Sequence, residues 1–440
     1  MRLSTRIAIL AVSALACIVA APAIASATVW VSPQPVTTGF NSCAKPGYNS
    51  IQKAIDVNAP NTTIHVCTGT YAEQLHIEKA VTIAPGTGET PTVTLPASPS
   101  DSTTPCDAAE QQDLITVCAK GNKEVVRISG LTLEGRWTGA ANCGKNYYDV
   151  FVGGTANLLL TNSSILHAGA EPLNGCQQGI GIRVGRNATS QVGTATLSGV
   201  NVSGYQKGGI VVDGVGSKAT IMKGAVTGVG PNGFENQETH LPEPTNIAQN
   251  GIQVSRGAEG KMIEEKITAN ECAAPSCGAN TLAQEEEDAA GVLFYKESKG
   301  SVTKSTINKN DIGVYHLGEC CVTTPQASIT SNTLEEDRFW GVVLDQGVAA
   351  VSKNKIIGNN AANVGIQLIQ YVGQENGAQG KGSEDEITGM TKCGVEGFSD
   401  NNPSDQVGSL TLTATKAKFS GNTTNVCNNN TTGKLIIKVT

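Results

Sequence analysis

The sequence predicts an all-β solenoid, a chain wound into stacked coils of short parallel strands, and three observations carry that reading. The first is a glycine followed by alternating aliphatic residues, recurring between Gly179 and Phe398: Gly181-Ile182-Arg183-Val184, Gly209-Ile210-Val211-Val212, Gly251-Ile252-Gln253-Val254, Gly291-Val292-Leu293-Phe294, Gly313-Val314-Tyr315-His316, Gly341-Val342-Val343-Leu344, Gly365-Ile366-Gln367-Leu368 and Gly394-Val395-Glu396-Gly397. Subtracting successive glycine numbers gives 28, 42, 40, 22, 28, 24 and 29 residues. This is a unit of about 22 to 30 residues carrying two long insertions, and such a period marks a solenoid. The second observation is that the positions one and three after the glycine are apolar in nearly every copy while positions two and four vary, as in a strand with one buried face. The third is composition: 50 glycines with 4% aromatic residues suit a long, thin core of Val, Ile and Leu.

A polar signal accompanies the strands. Asn270, Asn310 and Asn332 each fall 19 residues after the glycine of their unit, a turn position suited to left-handed backbone. Each coil therefore holds at least two strands and two turns.

At the start of the chain, Arg2 and Arg6 precede an apolar run from Ile7 to about Ala20, and Ala25-Ser26-Ala27 offers a cleavage site. Residues 1–27 read as a secretory signal peptide, the run being short for a membrane span. Loss of Arg2 and Arg6 takes the net charge from −7 to −9. Twelve cysteines remain once Cys17 is removed, an even count that argues for disulfides in an oxidising compartment, outside the cell or in a periplasm. Sequence neighbours suggest the pairs Cys43 with Cys67, Cys106 with Cys118, Cys143 with Cys176, Cys272 with Cys277 and Cys393 with Cys427, leaving Cys320 and Cys321. Zinc is disfavoured because no pair of CxxC motifs occurs.

Residues 28–440 read as one solenoid domain. Residues 43–60 form its cap, with Ile51, Ala54 and Ile55 on one face of a two-turn helix that Asn49 or Ser50 starts. Strands Ile64-His65-Val66, Leu75-His76-Ile77 and Val81-Thr82-Ile83 follow. The blocks SIQKAI, TIHVCTGTYAEQLHI and KAVTIAPG resemble the capping helix and first coils of the pectate-lyase-like superfamily, especially its pectinesterase-like and periplasmic branches. The resemblance spans nearly the whole mature chain at the level of coils and implies a right-handed parallel β-helix. It leaves activity open, because one fold hosts many chemistries. A cap also has a physical task there, blunting an open row of unpaired strand groups.

Residues 84–122 read as a coil with an excursion pinned by Cys106 and Cys118. Val125 to Leu133, Tyr148 to Val152 and Leu158 to Leu160 resume strands, with Trp137, Tyr147 and Tyr148 as loop packing beside Cys143. Coils run from about 62 to 427, and the strands at Leu410 and Leu435, within 408–440, close the far end.

Stacked parallel strands lie about 4.8 Å apart, so equal offsets form outward rows. Asp213 and Asp345 sit four coils apart, about 19 Å, too far for the carboxylate pair of a glycosidase. The polygalacturonase motifs Asn-Thr-Asp, Asp-Asp, Gly-His-Gly and Arg-Ile-Lys are absent, as are the pectinesterase Gln-Asp-Thr-Leu and the epimerase Asp-Pro-His, so no catalytic residue carries over. A lyase needs less, a base and a cation that neutralises the uronate carboxylate. The fifth offset places Arg186, Arg256 and Lys296 in a partly basic row. The insertions 228–248 and 271–288 enter just before neighbouring strands and are expected to form one wall of a groove, with 318–327 and 371–385 as the other. Tyr295, Lys296, Tyr315, Leu317 and Asp345 would line its floor.

The expected site is thus a polysaccharide groove with Tyr295 and Tyr315 as stacking platforms, Lys296 and Arg256 as cationic contacts, and Lys296, Asp345 and His240 as catalytic candidates. His316 is expected inside the coil, bonded to turn backbone. Calcium is a possible cofactor in this superfamily, and Glu286 and Asp288 are candidate ligands, although no calcium-loop spacing is present. Two functions remain: a secreted or cell-surface β-helix that binds an extended acidic polysaccharide, and a lyase acting on uronate glycans. The expected protein is a monomer with no membrane span in the mature chain and no nucleic-acid partner, since it is acidic and has no basic tract.

Overall fold

The computed structural model describes residues 27–36, 42–101, 106, 111–119, 124–137, 145–171, 173, 176–231, 249–272, 288–318, 325–359, 362–370, 379–399, 410–429 and 435–439. These form a parallel β-helix of three sheets that every coil visits in turn. Sheet I has 14 strands, from Thr28–Val31 to Leu435–Val439; sheet II has 12, from Gly69–Ala72 to Lys418–Ser420; sheet III has 12, from Leu75–Ile77 to Thr424–Asn429. Each coil therefore carries three strands, one more than the two the sequence signals required. Strands Leu410–Thr415 and Leu435–Val439 extend sheet I in parallel register rather than folding across its end.

The interior is an aliphatic ladder. In sheet III, Val150, Ile182, Ile210, Ile252, Val292, Val314, Val342, Ile366 and Val395 are paired in register, and all are buried. The glycine beside each is there because backbones stack closely. A Cβ on Gly251 would lie 2.6 Å from the Gly291 carbonyl oxygen, and one on Gly291 would lie 2.8 Å from that of Gly313. Asp149 takes this place in an earlier coil, where Gly135 leaves room for its carboxyl.

At the N-terminal end the helix Ile51–Val57 buries Ile51, Ala54 and Ile55, and Ser50 is its cap, accepting from Lys53 N–H. Glu73 completes the cap by accepting from the N–H groups of Ile51 and Gln52 at 3.0 and 2.9 Å. Cys43–Cys67, Cys106–Cys118 and Cys393–Cys427 are joined. Cys176 and Cys272 are also in disulfides, while Cys143, Cys277, Cys320 and Cys321 lie outside the described residues, as do residues 1–26. No described helix is long and apolar enough to cross a membrane.

The asparagines differ from expectation. The left-handed residue is the one before each, Ala269, Lys309 or Ser331. Asn270 and Asn310 lie in the turn from sheet II to sheet III, whereas Asn332 lies in the turn from sheet I to sheet II. Equal spacing in sequence hid two structural positions because loop lengths differ between units. All three side chains turn inward and stack. Asn270 donates to Asn310 Oδ1 at 2.8 Å, and Asn310 donates to Asp337 Oδ1 at 2.9 Å. In the other turn Asn332 donates to Asn354 at 3.0 Å and Asn354 to Asp385 at 2.9 Å. Each ladder ends in a carboxyl group. Burial raises Asp337 well above the ordinary carboxylate range and pushes Asp385 up to about 7, against the opposing pull of the Asn donors.

Candidate functional site

The outward rows of sheet III follow the predicted register. Arg183, Val211, Gln253, Leu293, Tyr315, Val343, Gln367 and Glu396 form one, and Asp213, Ser255, Tyr295, Leu317, Asp345, Ile369 and Phe398 the next. The expected open floor is not there, because most of these side chains are buried. Tyr315 is 4% exposed, packs among Ala290, Ile312, Trp340 and Val343, and its hydroxyl lies 3.4 Å from Asp345 Oδ2. A ring needs a bare face to stack on a sugar, so Tyr315 is no platform, and the fully buried Asp345 is no solvent-facing base. His316 lies on the opposite side of the pleat, inside the coil. Its Nδ1 makes no hydrogen bond, and burial pushes its pKa down to about 4.

The expected second wall is also shorter, since Gln379–Ser383 and Ala327–Thr330 are strands of sheet I. His240 and Glu286 lie outside the described residues.

Tyr295, Lys296 and Arg256 are accessible. They sit where sheet III turns into sheet I, and the Lys296 ammonium rests 5.2 Å from the Tyr295 ring centroid. This edge also holds a charged cluster centred on Asp213. Its buried carboxylate receives Arg183 Nη2 at 2.5 Å, Arg256 Nε at 2.8 Å, Ser255 Oγ at 3.0 Å and the Asn187 N–H at 2.9 Å. Burial alone would raise this carboxyl, but the Arg256 hydrogen bond, the Arg183 charge and the Asn187 N–H together hold it below the usual value. Arg183 lies over the Tyr148 ring, 5.4 Å from its centroid. Two guanidinium groups thus face one carboxylate, while Arg186, in the turn that follows the Arg183 strand and near Tyr148, has its Nη1 enclosed and making no hydrogen bond. Across Tyr148, Asp113 is held separately by Gln111 Nε2 at 2.6 Å and Thr116 Oγ1 at 3.0 Å.

A cleft of about 620 Å³ borders this edge, lined by Ser217, Lys218, Glu259, Lys299 and Gln326, and by Gly257, Ala258 and Glu297, which directly follow Arg256 and Lys296. Hydrogen bonds from Lys218 and Lys261, at 3.1 and 3.4 Å, hold the Glu259 carboxyl below its ordinary pKa. The walls are therefore polar but locally neutral, and the surplus charge belongs to the arginines.

At the turn from sheet II to sheet III, side chains of the coil hold the feet of the two long insertions. Asp311 Oδ2 accepts from Cys272 N–H at 2.7 Å and Ala289 N–H at 3.0 Å, on either side of residues 273–287. Gln249 bonds Val229 N–H at 3.0 Å and the Tyr205 carbonyl at 2.8 Å, fixing residues 229 and 249. Cys272, Asp288 and Asp311 bring their ligand atoms within 4.8 Å of one another. They do not suit calcium, because the Cys272 sulfur is in a disulfide and Arg338 Nε lies 3.2 Å from Asp311.

Single-coil reasoning missed the Arg183–Asp213–Arg256 cluster because it compared residues at equal offsets. The signal is diagonal: Arg183 is two positions after its glycine, and Asp213 is four positions after the glycine of the next coil.

A family model described as a right handed beta helix region matches residues 180–379. The fold is a right-handed parallel β-helix. Solved β-helix structures resemble it over most of its length. The catalytic domain of a GH87 α-1,3-glucanase superimposes with a TM-score of 0.53 and 11% identity, covering 88% of this chain and 66% of that one. The GH136 lacto-N-biosidase from Eubacterium ramulus gives 0.50 and 10% identity, covering 90% and 68%. A periplasmic alginate epimerase gives 0.43 and 9% identity, covering 90% and 84%. No curated protein matches the sequence. At these identities the shared property is the β-helix itself.

Proposed function

We propose that this β-helix binds an extended acidic polysaccharide along the edge where sheet III turns into sheet I, outside the cytoplasm. The observation that carries the reading is the pairing of two guanidinium groups, Arg183 and Arg256, with the single carboxylate of Asp213, continued along the stack by Lys296 and bordered by the cleft. Arg186 and Arg256 are two coils apart and Lys296 one coil further, roughly 10 and 5 Å of axial rise. That row suits a polymer with repeated negative charge lying along the axis. The disulfides support an oxidising compartment. An α-1,3-glucan is what the name of the α-1,3-glucanase implies for that protein; the likeness is one of fold, and the proposal rests on the arginines.

The test is binding of the mature chain to pectate, alginate and uncharged dextran at two salt concentrations. The acidic polymers should bind, with affinity falling as salt rises, and Arg256→Ala should weaken them about tenfold. Equal affinity for dextran, or an Arg256→Ala protein that binds pectate and alginate as the parent does, would overturn the reading. Unsaturated product accumulating in the same mixtures would reassign it to a lyase, with Lys296 the first base to replace.

A further inference from the structure

We infer that Asp213 is a positioning residue for anion recognition, and that its negative charge strengthens the binding of a polyanion; the inference rests on the function proposed above. A carboxylate beneath a polyanion site would ordinarily be a liability. Its placement here changes the balance. Arg256 reaches Asp213 through Nε, at 2.8 Å, and its side chain remains 38% exposed. Nε is bonded to the protein, and among the described residues neither terminal NH2 group makes a hydrogen bond, so the pair that meets a carboxylate bidentately stays available on an accessible side chain.

Arg183 is fixed by the other carboxylate oxygen and by the Tyr148 ring, with its side chain only 12% exposed. Asp213 is itself locked by Ser255 and the Asn187 N–H. A flexible arginine must lose side-chain freedom when it binds. Here part of that ordering is complete in the free protein. Arg256 also sits on left-handed backbone, φ 52°.

Electrostatics and positioning predict opposite signs for one substitution. Asp213→Asn removes a negative charge from beneath the site, so charge alone predicts tighter binding of pectate or alginate. Positioning predicts about tenfold weaker binding, with Asp213→Glu recovering only part of it. Arg256→Lys keeps the charge and loses the fork, and should also weaken binding several-fold. Because Asp213 is buried, thermal unfolding of each variant is measured alongside, and Arg256→Lys, altered at an accessible position, tests the same geometry without disturbing the interior. Unchanged or tighter binding by a folded Asp213→Asn protein, or full affinity in Arg256→Lys, would overturn the inference while leaving the acidic-glycan reading intact. No binding of either polymer by the parent protein would overturn both.

Discussion

Asp385 ends an amide ladder with a carboxyl group that burial keeps protonated up to about pH 7. A protonated carboxyl can accept from Asn354 without placing a charge inside the turn, so at low pH it does the work of another amide. A carboxyl whose folded pKa exceeds its unfolded value favours the folded chain at low pH. Its contribution is complete below about pH 4, shrinks as the unfolded chain ionises, and is gone above about pH 7. Glu265, pushed up to about 7 by burial, acts in the same direction. Asp385→Asn should therefore change little at pH 4 and stabilise by about 1–3 kcal/mol at pH 8. Denaturant midpoints at the two pH values check this; a parent protein equally stable at both, or a variant no better at pH 8, would refute it.

Among the elements, the turns divide labour. One left-handed residue lets the chain round a corner, and an inward Asn or Asp ties that corner to the next coil. The feet of the insertions are tied from the coil as well. Asp311→Ala should release residues 272 and 289, speed proteolytic cutting between them about tenfold, and cost about 1–3 kcal/mol for the unpaired N–H groups and one lost ion pair of Arg338, which keeps Glu271 and the Cys272 carbonyl. Peptide mapping of a timed digest reads this; cutting at the parental rate would show that the staple is dispensable. Strand identity was legible in the sequence because a one-sided strand writes its alternation directly into residues such as Ile252 and Val254. The inward asparagines were seen but misassigned, since spacing does not tell an inward side chain from a left-handed backbone.

Across the whole molecule, each described strand pairs only with those of the neighbouring coils, so damage should stay local. Gly291→Ala would bring a methyl group to 2.8 Å from the Gly313 carbonyl oxygen. It should destabilise by about 1–3 kcal/mol and raise hydrogen exchange in the strands around Val292 and Val314, leaving those around Ile64 and Ile83 protected. Equal loss of protection along the full length would contradict this neighbour-only view. The same one-dimensional order explains what the sequence revealed of the site. Rows could be counted, which excluded Asp213 with Asp345 as a dyad, but counting could not foresee that Tyr315 and Asp345 are covered or that an arginine would reach diagonally into the next coil.

The stapled feet have a consequence for engineering. A foreign peptide spliced into 232–248 or 273–287 would begin and end at backbone that Gln249 or Asp311 already holds in place. The coil offers two neighbouring display sites whose cargo can be exchanged without rewriting the residues that wind the spring.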